Sequence, residues 1–391
     1  MLATATHPPD PKNSIFSLSD EILSCSGNGA AATEAGVLLM TAKEIDRRLN
    51  GIEDRLVDEP ANVCKDNLYF QIKQLLIGFS ELNTEKKLKL IGLLQSSFSK
   101  FVQSLRADLA TGSFQASQWK QACEIYAVTI WNAVVAAETA AGTEKSANTA
   151  KSKVKGVVFE WSQARLLVLE KLRLFASLPL TRVFDAAAER ESMVSCIVKA
   201  AHRIMETAEN MKSTACKKLA LEVLTECART QNYCTGLQTI ITQDLIYFEH
   251  LAEPLAELFQ LLYATNGSNC EMICEDLLKS LGAYRFNSQD STASTRIAAV
   301  FLAKLAAICP REALRSLSLF IDQIDSEAYS IRMAMVEVLG SLIYHLMSQE
   351  DRSDHTKSQT KSLFAALEER FRDINSFVRT KTIQVCCDLA K

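Results

Sequence analysis

The stretch Arg296–Leu342, RIAAVFLAKLAAICPREALRSLSLFIDQIDSEAYSIRMAMVEVLGSL, decides the fold class. Two apolar helical runs in it open on an arginine: RIAAVFLAKLAAIC from Arg296 and RMAMVEVLGSLIYHL from Arg332. A third run of the same kind, RTKTIQVCCDLA, opens on Arg379. Each arginine follows a short polar link from an earlier helix, and the arginines lie 36 and then 47 positions apart.

Pairs of helices recurring at roughly 40 to 47 residues mark HEAT and armadillo arrays, in which each pair buries its apolar face only by stacking on its neighbours. The expected fold is therefore all-α, an α-α superhelix with an irregular N-terminal helical block. Composition agrees. Gly 13 and Pro 7 in 391 residues leave little turn chemistry for hairpins, and no segment alternates as a strand.

Working outward, helical spacing is evident in Leu88, Ile91, Leu94, Phe98, Phe101 and Leu105. It recurs in Trp119, Cys123, Tyr126, Ile130 and Val134. Residues 1–35 are rich in Pro, Ser, Asn, Gly and Ala and read as a mobile arm. Residues 36–140 read as a helical block. Residues 141–156, AGTEKSANTAKSKVKG, lack large apolar side chains and read as a loop or insertion. Residues 157–391 read as the HEAT array. Pro254, behind Glu253, falls where a first helical turn tolerates proline.

A net charge of −3 gives no overall basic field, so contact with nucleic acid has to be local. The twelve cysteines are scattered through apolar helical patterns, the usage of a reducing compartment, cytosolic or nuclear. No run approaches the roughly 18 uninterrupted apolar residues of a membrane span. No glycine-rich loop is followed by Lys-Ser or Lys-Thr, and the five histidines lie far from one another and from cysteine in zinc-ligand spacing. The expectation is a binding protein, not an enzyme, with no cofactor and no metal. Cys270 and Cys274, and likewise Cys386 and Cys387, read as core thiols, and neither pair points to redox chemistry.

Asp325 precedes Arg332 by seven positions and Asp373 precedes Arg379 by six. In a HEAT array an aspartate in the turn and an arginine opening the second helix form a polar ladder between repeats. Asp325, Arg332, Asp373, Arg379, Arg296 and Pro310 are therefore expected to be structural. Lys151, Lys153 and Lys155 are candidate phosphate contacts. Lys86, Lys87 and Lys89, with Lys212, Lys217 and Lys218, are weaker ones, since no aromatic residues are interleaved for base stacking.

Cys309-Pro310 before a Leu-rich helix, the run from Ile324 to Arg332, and Val336-Glu337-Val338-Leu339-Gly340 together resemble the HEAT pair near the start of the condensin complex subunit 1 family. The segment Arg370 to Lys381, RFRDINSFVRTK, is similar to that family's next repeat. The likeness covers about a quarter of the chain directly, and residues 1–160 match in character only. It implies a non-catalytic subunit that docks on the kleisin, contacts an SMC ATPase head and helps hold DNA in mitotic chromosome condensation. The implied location is the nucleus and mitotic chromosomes, and also the cytoplasm. The array is expected to continue past Lys391, because family members run several times this length. The alternative is a HEAT adaptor or nuclear transport receptor that binds extended peptides. No Ser-Pro or Thr-Pro dipeptide occurs in the sequence, so proline-directed phosphorylation has no site here.

Overall fold

The computed structural model describes residues 40–65, 67–111, 115–149, 159–265, 268–286, 293–349 and 353–391. The described residues are helical, with no strand among them. The chain divides into two compact units, residues 1–200 and 201–391.

The first unit contains α1 (Ala42–Asp58), α2 (Leu68–Ile77), α3 (Thr84–Leu109), α4 (Ala116–Thr149) and α5 (Ser162–Ala176). The division between the units falls within α6 (Ala187–Met205). Thr41 and Asn83 start α1 and α3 by accepting the backbone N–H of Glu44 and Lys86, which would otherwise be unpaired. α1 packs on α3, α2 on α4, and α3 on both α4 and α5. The helical stripe on α3 then becomes core: Phe98 and Phe101 are fully buried and meet Tyr126 and Phe175. The Phe101 and Tyr126 rings stack at 4.4 Å. The Tyr126 hydroxyl, which burial would otherwise leave without a partner, bonds to Ser97 and donates to the Pro60 carbonyl at 2.9 Å.

α4 runs on to Thr149, so residues 141–149 of the expected loop are helical. The reading failed there because it followed large apolar side chains. Ala, Glu and Lys continue a helix by backbone propensity alone. Residues 150–158, with Lys151, Lys153 and Lys155, lie outside the described residues, as does the expected arm.

The second unit contains α7 (Ala208–Lys212), α8 (Thr214–Gln231), α9 (Cys234–Tyr247), α10 (Ala252–Ala264), α11 (Ser268–Ala283) and α12 (Ala293–Ile308). It continues with α13 (Pro310–Arg315), α14 (Tyr329–Met347), α15 (Asp354–Glu369) and α16 (Ser376–Leu389). The second helices of successive pairs, α8, α10, α12, α14 and α16, each pack on the next and form one row. A second row begins with α9 on α11 and includes α15 beside α14. Between α11 and α15 a full helix is replaced by α13 and two short 3-10 turns, Leu317–Leu319 and Ile321–Asp325. The Gln323 side-chain amide ties that irregular segment to α11 by donating to the carbonyls of Leu281, Gly282 and Tyr284 at 3.1, 2.8 and 2.8 Å.

α14 is, among the described residues, the one helix long and apolar enough to cross a membrane by length and composition. Most of its apolar side chains, among them Ile331, Met335, Leu339, Leu342, Ile343 and Leu346, are buried within the second unit, where α12 and α16 flank it. Their hydrophobicity is thus accounted for by core packing.

Candidate interaction surface

Arg332 and Arg379 each occupy the fourth position of the second helix of a pair, α14 and α16. Arg332 Nη1 donates to the Ser326 and Glu327 carbonyls at 2.7 and 3.0 Å. Arg379 Nη1 repeats this on Asp373 and Ile374 at 2.7 and 3.1 Å. The other edge of Arg332 makes a fork onto the next repeat, Nε to Asp373 Oδ2 and Nη2 to Asp373 Oδ1, both at 2.9 Å. Asp373 also accepts the Asn375 N–H at 2.8 Å, and Asn375 in turn caps α16 on Phe377. Burial pushes the Asp373 carboxyl up, but the hydrogen bonds from Arg332 and the Asn375 N–H outweigh it and hold the carboxyl below its usual range.

This register shows that Asp373 corresponds to Ser326 and not to Asp325. The one-residue difference between the two links moves Asp325 off the ladder, where its exposed carboxylate meets Arg370 at 2.8 Å. Arg296, also at the fourth position of its helix, is half exposed and meets Glu249 at 3.6 Å. Pro310 is the first residue of α13, where its missing N–H has no helical partner to lose.

One face of the row α12, α14, α16 is left uncovered by the other row. Its floor is made of small residues, Ala299, Ala303 and Ala307 on α12 and Gly340 and Ser341 on α14. Two open clefts run along it. One of about 420 Å³ lies between α12 and α14 near Val300, Tyr329 and Met333. The other, of about 620 Å³, extends past Tyr344 to Val385 and Asp388 on α16. Gly340 sits so close to α16 that a Cβ there would meet Val385 Cγ1 at 2.5 Å. Aromatic rings stand above this floor: Tyr329 stacks on Phe377 at 6.0 Å, and Tyr344 and Phe377 are 66% and 64% exposed. Of the charges that line it, Glu337 pairs with Lys381 at 2.6 Å, Arg296 with Glu249 at 3.6 Å and Asp388 with Lys391 at 2.9 Å. A low floor, aromatic walls and balanced charge suit an extended peptide with apolar side chains better than a phosphate backbone.

The secondary lysine clusters are engaged within the protein. Lys86 meets Asp46 and Lys89 meets Glu53, both at 2.8 Å. Lys87 is buried 6.0 Å from the Phe79 and Phe159 rings. Lys217 meets Glu257 at 2.5 Å, Lys212 meets Glu209 at 3.0 Å and Lys218 meets Glu222 at 3.9 Å.

Residues 84–237 match the family model described as non-SMC mitotic condensation complex subunit 1, N-terminal. The Saccharomyces cerevisiae protein condensin complex subunit 1 is 27% identical over 88% of this chain and 31% of its own length. Its Schizosaccharomyces pombe counterpart is 30% identical over 53% of the chain and 18% of its own length. The human one is 23% identical over 58% and 16%. Over these stretches the chain is similar to the condensin complex subunit 1 family. It spans less than a third of the length of these relatives. The family model falls on residues 84–237, N-terminal to the two blocks that carried the resemblance, so the helical block read as matching in character only holds much of the family signature.

One buried polar cluster escaped the sequence reading. His202 on α6 sits between Asp244 on α9, at 2.6 Å, and Glu206, at 3.3 Å. Burial works against its charge, but the two carboxylates prevail and raise it to about 10. Glu206 lay within sight at one helical turn. Asp244 is 42 residues away and only repeat packing brings it in.

Proposed function

We propose that the chain acts as a non-catalytic scaffold in a condensin complex, binding an extended segment of the kleisin subunit along the face of α12, α14 and α16. It also engages an SMC subunit and reaches DNA through the assembled complex, in the nucleus and on mitotic chromosomes. The observation that carries this reading is the uncovered row of small residues walled by Tyr329, Tyr344 and Phe377, in a chain similar to the condensin complex subunit 1 family. The non-catalytic role is supported by the lack of a phosphate loop with its Lys-Ser or Lys-Thr in the sequence. A HEAT adaptor or transport receptor would use the same kind of face, and the family likeness favours condensin.

The test is capture of the kleisin and of the SMC heads of the same organism by the full chain at two salt concentrations, with duplex DNA present. Kleisin capture that resists salt and is lost in a Tyr329→Ala/Tyr344→Ala variant supports the reading. Kleisin capture unaffected by that variant moves the contact off this face. Capture of neither protein sinks the assignment of partners to this chain.

A further inference from the structure

Ser348 ends α14 at the edge of the larger cleft. It lines that cleft with Tyr344 and His345 from its own helix and with Val385, Asp388 and Leu389 from α16. The residue is exposed. Its hydroxyl donates to the Tyr344 carbonyl at 2.8 Å, but the Ser348 N–H reaches the same oxygen at 2.9 Å, so the hydroxyl can leave without orphaning it. Ser341, the other serine on the lining, sits inside α14, whereas the chain leaves the helix at Ser348. In the sequence Ser348 is followed by Gln349, Glu350 and Asp351, with Asp354 beyond. An exposed serine with carboxylates two and three positions on is the substrate pattern of an acidophilic kinase, whose basic groove those charges complement.

We propose that Ser348 is a phosphorylation site, and that a phosphate there closes the α12, α14 and α16 cleft to an apolar peptide. The second half rests on the kleisin reading of that face. In the transfer the Ser348 Oγ attacks the γ-phosphorus of ATP held by the kinase. The Oγ–P bond forms, the bond from that phosphorus to the β,γ-bridging oxygen breaks, and ADP leaves. The hydroxyl proton passes to the aspartate base of the kinase. The product carries a charge of about −1.5 to −2 at neutral pH where a neutral hydroxyl stood.

Two features of the site set what that charge does. Ser348 stands at the C-terminal end of α14, where the helix already carries negative partial charge, so a phosphate works against the last turn, the turn that presents Tyr344. The cleft is also balanced only because Glu337 is paired with Lys381 and Asp388 with Lys391. A phosphate on the same lining as those two carboxylates turns it net negative, and His345 is the one basic side chain on that lining, a single partner for a dianion. An apolar side chain entering the cleft would then have to strip water from an ion left without compensation.

The test uses the full chain, ATP and an acidophilic kinase whose activity is checked on casein. After treatment the protein is digested and mapped by mass spectrometry, and each form is used to capture the kleisin of the same organism. The expected product is a peptide with one added phosphoryl group on Ser348, which a phosphatase removes and which Ser348→Ala lacks. The phosphorylated chain should hold the kleisin about tenfold more weakly, or weaker still, because an unmatched charge at an interface costs at least that factor. Kinase-treated Ser348→Ala should hold it as the untreated chain does. Ser348 left unmodified overturns the proposal outright. Equal capture by the phosphorylated and untreated chains overturns the blocking role and leaves the kleisin face in place. No capture by the untreated chain removes the kleisin face and the blocking role with it, and the mass map still decides whether Ser348 is the acceptor.

Discussion

At the scale of single residues, stability in the second unit rests on a few charges held without water. Arg332 has five donors and the structure gives them two carbonyls and both oxygens of Asp373, so neither ion is left uncompensated. Arg332→Ala strands a buried carboxylate and is expected to lower the free energy of urea unfolding by about 3–5 kcal/mol. A loss under about 1 kcal/mol would place the pair with ordinary surface ion pairs. Asp373 is held below its usual value of 3.8, so its contribution is present above that pH and disappears as pH falls through the lowered value. The advantage of the native chain over Asp373→Asn should therefore shrink below pH 3.8, and a gap that stays constant there contradicts the assignment. His202 has the opposite sign. Raised from 6.5 to about 10, it contributes fully below pH 6.5 and loses that contribution as pH climbs to about 10. Denaturation midpoints of the native chain and His202→Gln should converge across that window. Parallel curves would mean that His202 is not charged in the fold.

At the scale of elements, the irregular segment after α13 depends on close backbone approach. A Cβ on Gly282 would run into the Leu319 carbonyl and come within 3.0 Å of the Phe320 Cα. Backbone atoms cannot move aside as a side chain tip can, so Gly282→Ala must part α11 from the 3-10 turns that Gln323 holds there. The expected loss is about 1–3 kcal/mol in chemical denaturation, the range of overpacked cores. No change would show that the turn gives way freely. The helices themselves were legible, because α3, α10 and α14 carry apolar stripes with helical spacing. The element missed was the end of α4, whose residues 141–149 have helix propensity but no stripe. Cys386 and Cys387, expected as core thiols, sit with Ile383 on one helix. Ile383 is 53% exposed and Cys387 is exposed, so this part of α16 is uncovered among the described residues.

At the scale of the whole molecule, charge decides what nucleic acid contact is available. With a net charge of −3 and the lysines of α3, α7 and α8 engaged by carboxylates or aromatic rings, Lys151, Lys153 and Lys155 are the remaining lysine group from the sequence. Replacing all three with alanine is expected to flatten the slope of log affinity against log salt for duplex DNA by about 2.7, since each phosphate contact contributes about 0.9. An unchanged slope would remove them as phosphate contacts.

The sequence by itself determined that the chain is helical, that its C-terminal part repeats, and which family it resembles, because apolar spacing and repeat period are properties of order along the chain. Arg332, Asp373 and Arg379 could be marked as a ladder from their positions. Only the tertiary structure decided the register. It paired Asp373 with Arg332 across repeats and set Asp325 aside, since a one-residue difference in a link changes which carboxylate faces the guanidinium. It also decided the meeting of His202 with Asp244. Partners about one repeat apart come together only when neighbouring helices stack, and nothing in the local sequence of either residue records what will lie beside it.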